Sequence, residues 1–97
     1  MKLVDIIVAT DNKHKYTAII KDKQEKIHKI HFGANGYSDY TKHKDDERKK
    51  RYILRHKENE NWTSTGILTA GFWSRWVLWN KPDLKTSIDN TKKRFKL

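Results

Sequence analysis

The sequence predicts an α+β domain: a three-stranded antiparallel meander at the N-terminus, followed by three helices packed on one face of it. Three observations carry this expectation. The first third of the chain is β-branched and alternating, two short turn-forming stretches interrupt it, and beyond residue 45 the apolar residues recur at helical spacing. Strands grouped before helices, instead of alternating with them, belong to the α+β class.

Taken in order, Leu3 to Ala9 reads as a strand, because Val4, Ile6 and Val8 alternate with Asp5 and Ile7. Thr10-Asp11-Asn12-Lys13 is a turn by composition, Tyr16 to Lys21 is a second strand, and Asp22-Lys23 offers another turn before Gln24 to Phe32. Connections this tight join antiparallel neighbours. In the third segment Ile27 and Ile30 are three apart and would fall on opposite faces of a strand, so helix competes there; strand is the expectation. Residues 1–32 form the β region, and 33–44 a connection whose Gly33 and Gly36 can take positive φ.

Residues 45–97 are the helical region. Asp45 suits an N-cap, Asp46 and Glu47 the first turn, and Arg55, His56 and Lys57 the C-terminal end of a first helix, so both ends complement the helix dipole. After a polar stretch from Asn59 to Gly66, Ala70 to Trp79 carries Phe72, Trp73, Trp76 and Val77 on one face and reads as the core helix. Asn80-Lys81-Pro82 stops it. Leu84, Ile88, Thr91 and Phe95 mark the buried stripe of a final helix, with Lys85, Lys92, Lys93 and Lys96 on its other faces. At 97 residues the chain is expected to be a single domain, 1–97, without internal repeats.

Only 35% of the residues are hydrophobic, and four tryptophans must supply much of the core. Absence of cysteine excludes disulfides, thiolate zinc sites and cysteine nucleophiles. No window approaches the roughly 18 apolar residues of a membrane span, and Asp5 interrupts the N-terminal apolar run where a signal peptide would continue. The chain therefore reads as intracellular, not secreted, and without a membrane partner.

Charge is the strongest functional signal. Twenty-two basic and 12 acidic residues give a formal +10. Residues 42–57 carry +5 and residues 81–97 carry +4, while the aromatic segment between them is nearly neutral. Solubility alone asks for a net charge of about 2 to 8 on a small domain, so the excess points to a polyanion. Arg48, Lys49, Arg51, Arg55 and His56 form the densest cationic set, and Arg48, Arg51 and Arg55 at i, i+3 and i+7 share one helical face that can follow a phosphate backbone. Lys92, Lys93 and Arg94 make the second candidate set. Zinc-finger spacing, a heptad after a basic region and the aromatic signature of RNA-recognition sheets are all missing, so charge and shape, not base identity, are the expected readout. Exposed tryptophans could stack on bases, but a core role is the better expectation; Trp62, in a polar segment, is the ambiguous one.

Five histidines raise metal binding and catalysis. His28 and His31 are three apart on a strand, and no HxxxH pair is present, so no metal site and no cofactor are expected. His43 beside Asp39, Asp45 and Glu47 could build a small nuclease site, although local charge pairing and helix capping explain the same residues. No phosphate loop or nucleophile elbow accompanies them.

His31-Phe32-Gly33-Ala34, Gly36-Tyr37-Ser38-Asp39-Tyr40-Thr41, His43-Lys44-Asp45, Glu47-Arg48, Arg51-Tyr52-Ile53, Arg55-His56, Asn61-Trp62 and the run from Thr69 to Trp76 through Leu78-Trp79-Asn80-Lys81-Pro82 form a pattern. In it the chain resembles small basic proteins of large nucleocytoplasmic DNA viruses, the giant viruses, whose function is unassigned. Asp46 departs from the proline expected in many relatives at the first helical position; aspartate suits a helix N-terminus equally. The resemblance implies a viral protein in a host cell's cytoplasm, nucleus or viral factory, and association with viral DNA or packaging into the virion. It transfers no catalytic residue. The leading expectation is a non-enzymatic, largely sequence-tolerant nucleic-acid-binding protein, with DNA preferred to RNA. A structural or interaction module for an acidic protein partner is the runner-up, and a small nuclease comes third; for partners, a homodimer or an acidic protein stands beside nucleic acid.

Overall fold

The N-terminal alternation becomes a three-stranded antiparallel sheet of order β1-β2-β3 in the computed structural model, which describes residues 1–97. Its strands are β1 (Lys2–Val8), β2 (His14–Lys21) and β3 (Ile27–Ala34). Both turns are built on an aspartate. Asp11 accepts the backbone N–H groups of Lys13 and His14 at 3.0 and 2.9 Å, and Asp22 those of Gln24 and Lys26, both at 2.9 Å. Asn12 and Glu25 take the left-handed backbone these turns require, with φ of 62° and 64°.

Register in β1 is set by a bulge. Pairing moves from Leu3↔Ile20 to Asp5↔Ile19, so β1 carries one extra residue at Val4. Three apart, Leu3 and Ile6 would otherwise face opposite ways; the bulge turns both onto the helix-covered face beside Ala18 and Ile20. In β3 the spacing works as a strand demands: Ile30 and Phe32 pack into the core, and Ile27 is left 49% exposed.

The connection after β3 contains a helix the sequence reading did not foresee, α1 (Tyr40–His43). Asp39 caps it, accepting the Thr41 N–H at 2.9 Å, while its other carboxylate oxygen takes Lys15 Nζ at 2.6 Å. Both side chains of that ion pair are buried. α2 (Asp46–His56) begins as expected, with the Asp45 carboxylate accepting the N–H groups of Glu47 and Arg48. The core helix differs from expectation in its second half. α3 (Ala70–Trp73) widens into a π turn over Ser74–Leu78, closed by the Trp79 N–H on the Ser74 carbonyl at 3.1 Å. α4 (Leu84–Phe95) is capped by Asp83 through the Thr86 N–H.

One buried cluster joins sheet and helices. Leu3, Ala18, Ile20 and Phe32 meet Ile67, Phe72, Trp73, Trp76, Val77 and Leu78, and Leu84, Ile88 and Phe95 close it from α4. The indole N–H groups find carbonyls, Trp73 at Ile67 (2.7 Å) and Trp76 at Trp62 (2.9 Å), so the tryptophans are buried without orphaned donors. The hydroxyl of buried Thr91 donates to the Trp76 carbonyl at 3.1 Å, which docks α4 on the π turn, and to the Ser87 carbonyl within α4 at 2.8 Å. No helix is long and apolar enough to cross a membrane.

Candidate nucleic-acid interface

α2 buries only Tyr52 of its eleven residues. That ring lies parallel to Trp79, 4.4 Å between centroids with 3° between planes, and stacks on His56 at 4.5 Å. Trp79 in turn has the tilted His43 ring beside it at 5.3 Å. Burial, followed by the Glu60 charge, pushes the Tyr52 phenol well above its ordinary pKa. The result is a column of aromatic rings that fixes the face α2 turns outward.

On that face Arg48, Arg51, Arg55 and His56 line a groove of about 430 Å3, with Tyr52 and Trp79 in its wall and Tyr37 and Ser38 contributed by the connection. The three arginines are exposed, as their i, i+3, i+7 spacing requires. None of the six ion pairs in the protein uses them, and none of their guanidinium groups makes a hydrogen bond to another side chain or to a carbonyl. The acids nearest in sequence are occupied elsewhere or exposed: Asp45 caps α2, and Glu47 faces Lys50 at 3.7 Å. Three positive charges therefore share one concave surface uncompensated.

Other members of the predicted cationic set have internal duties. Lys49 donates to the Asn80 carbonyl at 2.6 Å and sits 4.9 Å from the Tyr40 ring centroid, tying α2 to the end of the π turn. Burial, and then the charges of Arg75 and Lys81, lowers its pKa. His56 is bonded to Glu60 at 3.1 Å as well as stacked on Tyr52. Arg94 lies over the Trp76 ring at 4.5 Å, leaving Lys92 and Lys93 to line a second depression of about 540 Å3 with Lys81, Thr86, Asp89 and Asn90. Asp89 makes that depression less cationic than the first.

Arg75 escaped the sequence reading because it lies in the near-neutral aromatic segment. It spans Trp76 and Trp62 at 4.4 and 5.5 Å and donates to the Trp79 carbonyl at 2.7 Å. Its burial lowers its pKa. Trp62, ambiguous from sequence, is half-buried here, with its indole N–H on Glu60 at 2.9 Å.

The residues that raised a nuclease site have local partners in the fold. Asp39 is held by Lys15 and by the Thr41 hydroxyl, and His43 Nδ1 accepts the Asp45 N–H at 3.0 Å. Burial, and then Arg48, lowers the His43 pKa. His28 bonds Asp22, His31 faces the Thr17 hydroxyl at 2.7 Å, and no group of three or more histidine, aspartate or glutamate side chains converges as a metal site.

Among known proteins, a family model described as "Family of unknown function (DUF5754)" matches residues 4–56, which take in all of the sheet but Lys2 and Leu3, with α1 and α2. No curated protein and no solved structure matches the chain.

Proposed function

The chain belongs to DUF5754, a family of unknown function, and for this member we propose a non-enzymatic, largely sequence-tolerant nucleic-acid-binding activity, with DNA preferred. The observation that carries the proposal is the groove of α2, where Arg48, Arg51 and Arg55 stand side by side without a carboxylate. Cations left unpaired on one face repel each other, and phosphates relieve that repulsion while releasing condensed counterions. Contacts of this kind position a protein on a backbone and read no bases. Lys92 and Lys93 supply a second, weaker phosphate surface on α4. The proposal extends to coating or compacting DNA in a virion or viral factory, the setting that the resemblance of the sequence to small basic proteins of giant viruses implies.

A gel-shift titration across salt tests the proposal. About five neutralised phosphates on duplex DNA correspond to a slope of log affinity against log salt near −4 to −5. Replacing Arg48, Arg51 and Arg55 together by glutamine should make that slope shallower by about 3 and leave the fold intact, because glutamine keeps most of the helix propensity. A wild-type slope near zero, or no binding at about 50 mM salt, overturns the proposal. Unchanged slope with a large loss of stability would instead assign the arginines to the fold or to an acidic protein partner.

A further inference from the structure

The same groove contains an aromatic group the fold does not use. Tyr52 already stacks on both Trp79 and His56, and Trp79 lies between Tyr52 and His43, so their stacking is satisfied within the protein. Tyr37 is different. It is 73% exposed, its ring meets no other ring, and it lines the groove opposite no carboxylate. Its place is fixed by the backbone: Gly36 before it has φ of 88°, the Tyr37 N–H bonds the Ala34 carbonyl at 3.3 Å, and two residues later Asp39 is anchored by the buried Lys15. An exposed ring thus stands beside three unpaired guanidinium groups, with its faces free of any other ring.

Resting on the nucleic-acid reading above, we propose that the α2 groove is a site for single-stranded nucleic acid, in which Tyr37 stacks on an unpaired base and Arg48, Arg51 and Arg55 hold the adjoining phosphates. The chemistry selects the unpaired strand. In a duplex both faces of every base are covered by neighbouring pairs, whereas a single strand can turn one base onto a side chain while its backbone follows the cations. Stacking on a phenol tolerates every base, which agrees with a sequence-tolerant protein. A volume of about 430 Å3 lies within the range that takes a ligand of nucleotide size.

Fluorescence anisotropy with labelled oligothymidine and a labelled hairpin duplex of equal charge, at one salt concentration, tests this. The wild-type protein should bind oligothymidine more tightly than the hairpin. Tyr37→Ala should lose about ten-fold on oligothymidine, in the range expected for one stacked base, and should leave the hairpin unchanged. Tyr37→Phe should bind like wild type, and Arg51→Gln should weaken both ligands. Equal losses on both ligands with Tyr37→Ala, no loss on either, or tighter binding of the hairpin overturns the single-strand assignment while leaving nucleic-acid binding in place. Absence of binding to either ligand overturns both readings at once. Because Tyr37 is exposed, a melting curve of Tyr37→Ala should overlay that of the wild type, so a binding loss is not a folding loss.

Discussion

Trp73 is fully enclosed between Phe32 of the sheet and Phe72 of its own helix, with its indole N–H on the Ile67 carbonyl. Trp73→Ala should cost about 3 to 5 kcal/mol, the range for truncating a large buried aromatic, and Trp76→Ala about as much. Thermal or denaturant melts check this, and wild-type-like curves would contradict it. Two glycines differ in what surrounds them. Gly33 has φ of 77°, and a methyl group there would come within 2.7 Å of Leu78 Cδ1; Gly36 has φ of 88° but open space around it. Gly36→Ala should therefore cost about 1 to 2 kcal/mol from the backbone alone, and Gly33→Ala more, because the buried Leu78 side chain must also shift. Acid stability follows from aspartates. The His14 hydrogen bond holds Asp11, and the His28 hydrogen bond holds Asp22, below the usual carboxylate range; the Thr86 backbone N–H does the same for Asp83. Depressed in the fold, these groups stabilise it fully above their unfolded pKa of about 3.9, and that stabilisation is lost as pH falls below it. Asp22→Asn should flatten the acid limb of a plot of melting temperature against pH and leave the neutral region parallel to wild type.

Among the elements, α2 buries a single side chain and is held by the Tyr52 stack, the Lys49 bond to Asn80, the Tyr40 hydroxyl on Asp46 and the His56–Glu60 bond. Amide exchange should be faster in α2 than in β2 or α3, and Tyr52→Ala should release α2 selectively, which exchange measured by mass spectrometry would register. The extent of α2 was legible because its start and end are local: Asp45 and the acids of the first turn at one end, Arg55 and His56 at the other. α1 was not, since four residues carry no periodicity and their cap depends on an ion pair with Lys15, 24 residues earlier. Nor was the π turn, because Phe72, Trp73, Trp76 and Val77 satisfy an apolar helical face whether or not one residue is extra. The candidate site divides along the same line. Shared exposure of Arg48, Arg51 and Arg55 follows from spacing within one helix. Internal roles for Lys49 and Arg94 do not, because their partners, the Asn80 carbonyl and the Trp76 ring, come from elements distant in sequence. Tyr37 carried no signal beyond its aromatic type; only the structure shows that every other ring near the groove is already stacked.

For the whole molecule, the part matched by the family model and the part that completes the core are different. Residues 4–56 contain all of the sheet but Lys2 and Leu3, together with α2, yet the buried cluster that takes in Ala18, Ile20 and Phe32 is completed by residues beyond them, Phe72, Trp73 and Val77 included. A fragment ending at residue 57 should lack dispersed amide resonances and a cooperative melt, because it exposes the sheet face that the full chain buries. Recovery of a folded fragment would mean that the sheet is stable alone. The ring column of Tyr52 and Trp79 crosses the same divide, with one ring on each side of it. Its consequence is one of timing. As the chain is made from its N-terminus, the arginines of α2 leave the ribosome before Trp79 does, and the basic segment spends that interval without the wall that shapes it. The groove is thereby completed only after Trp79 has been made, and a chain terminated between α2 and Trp79 carries the charge without that wall.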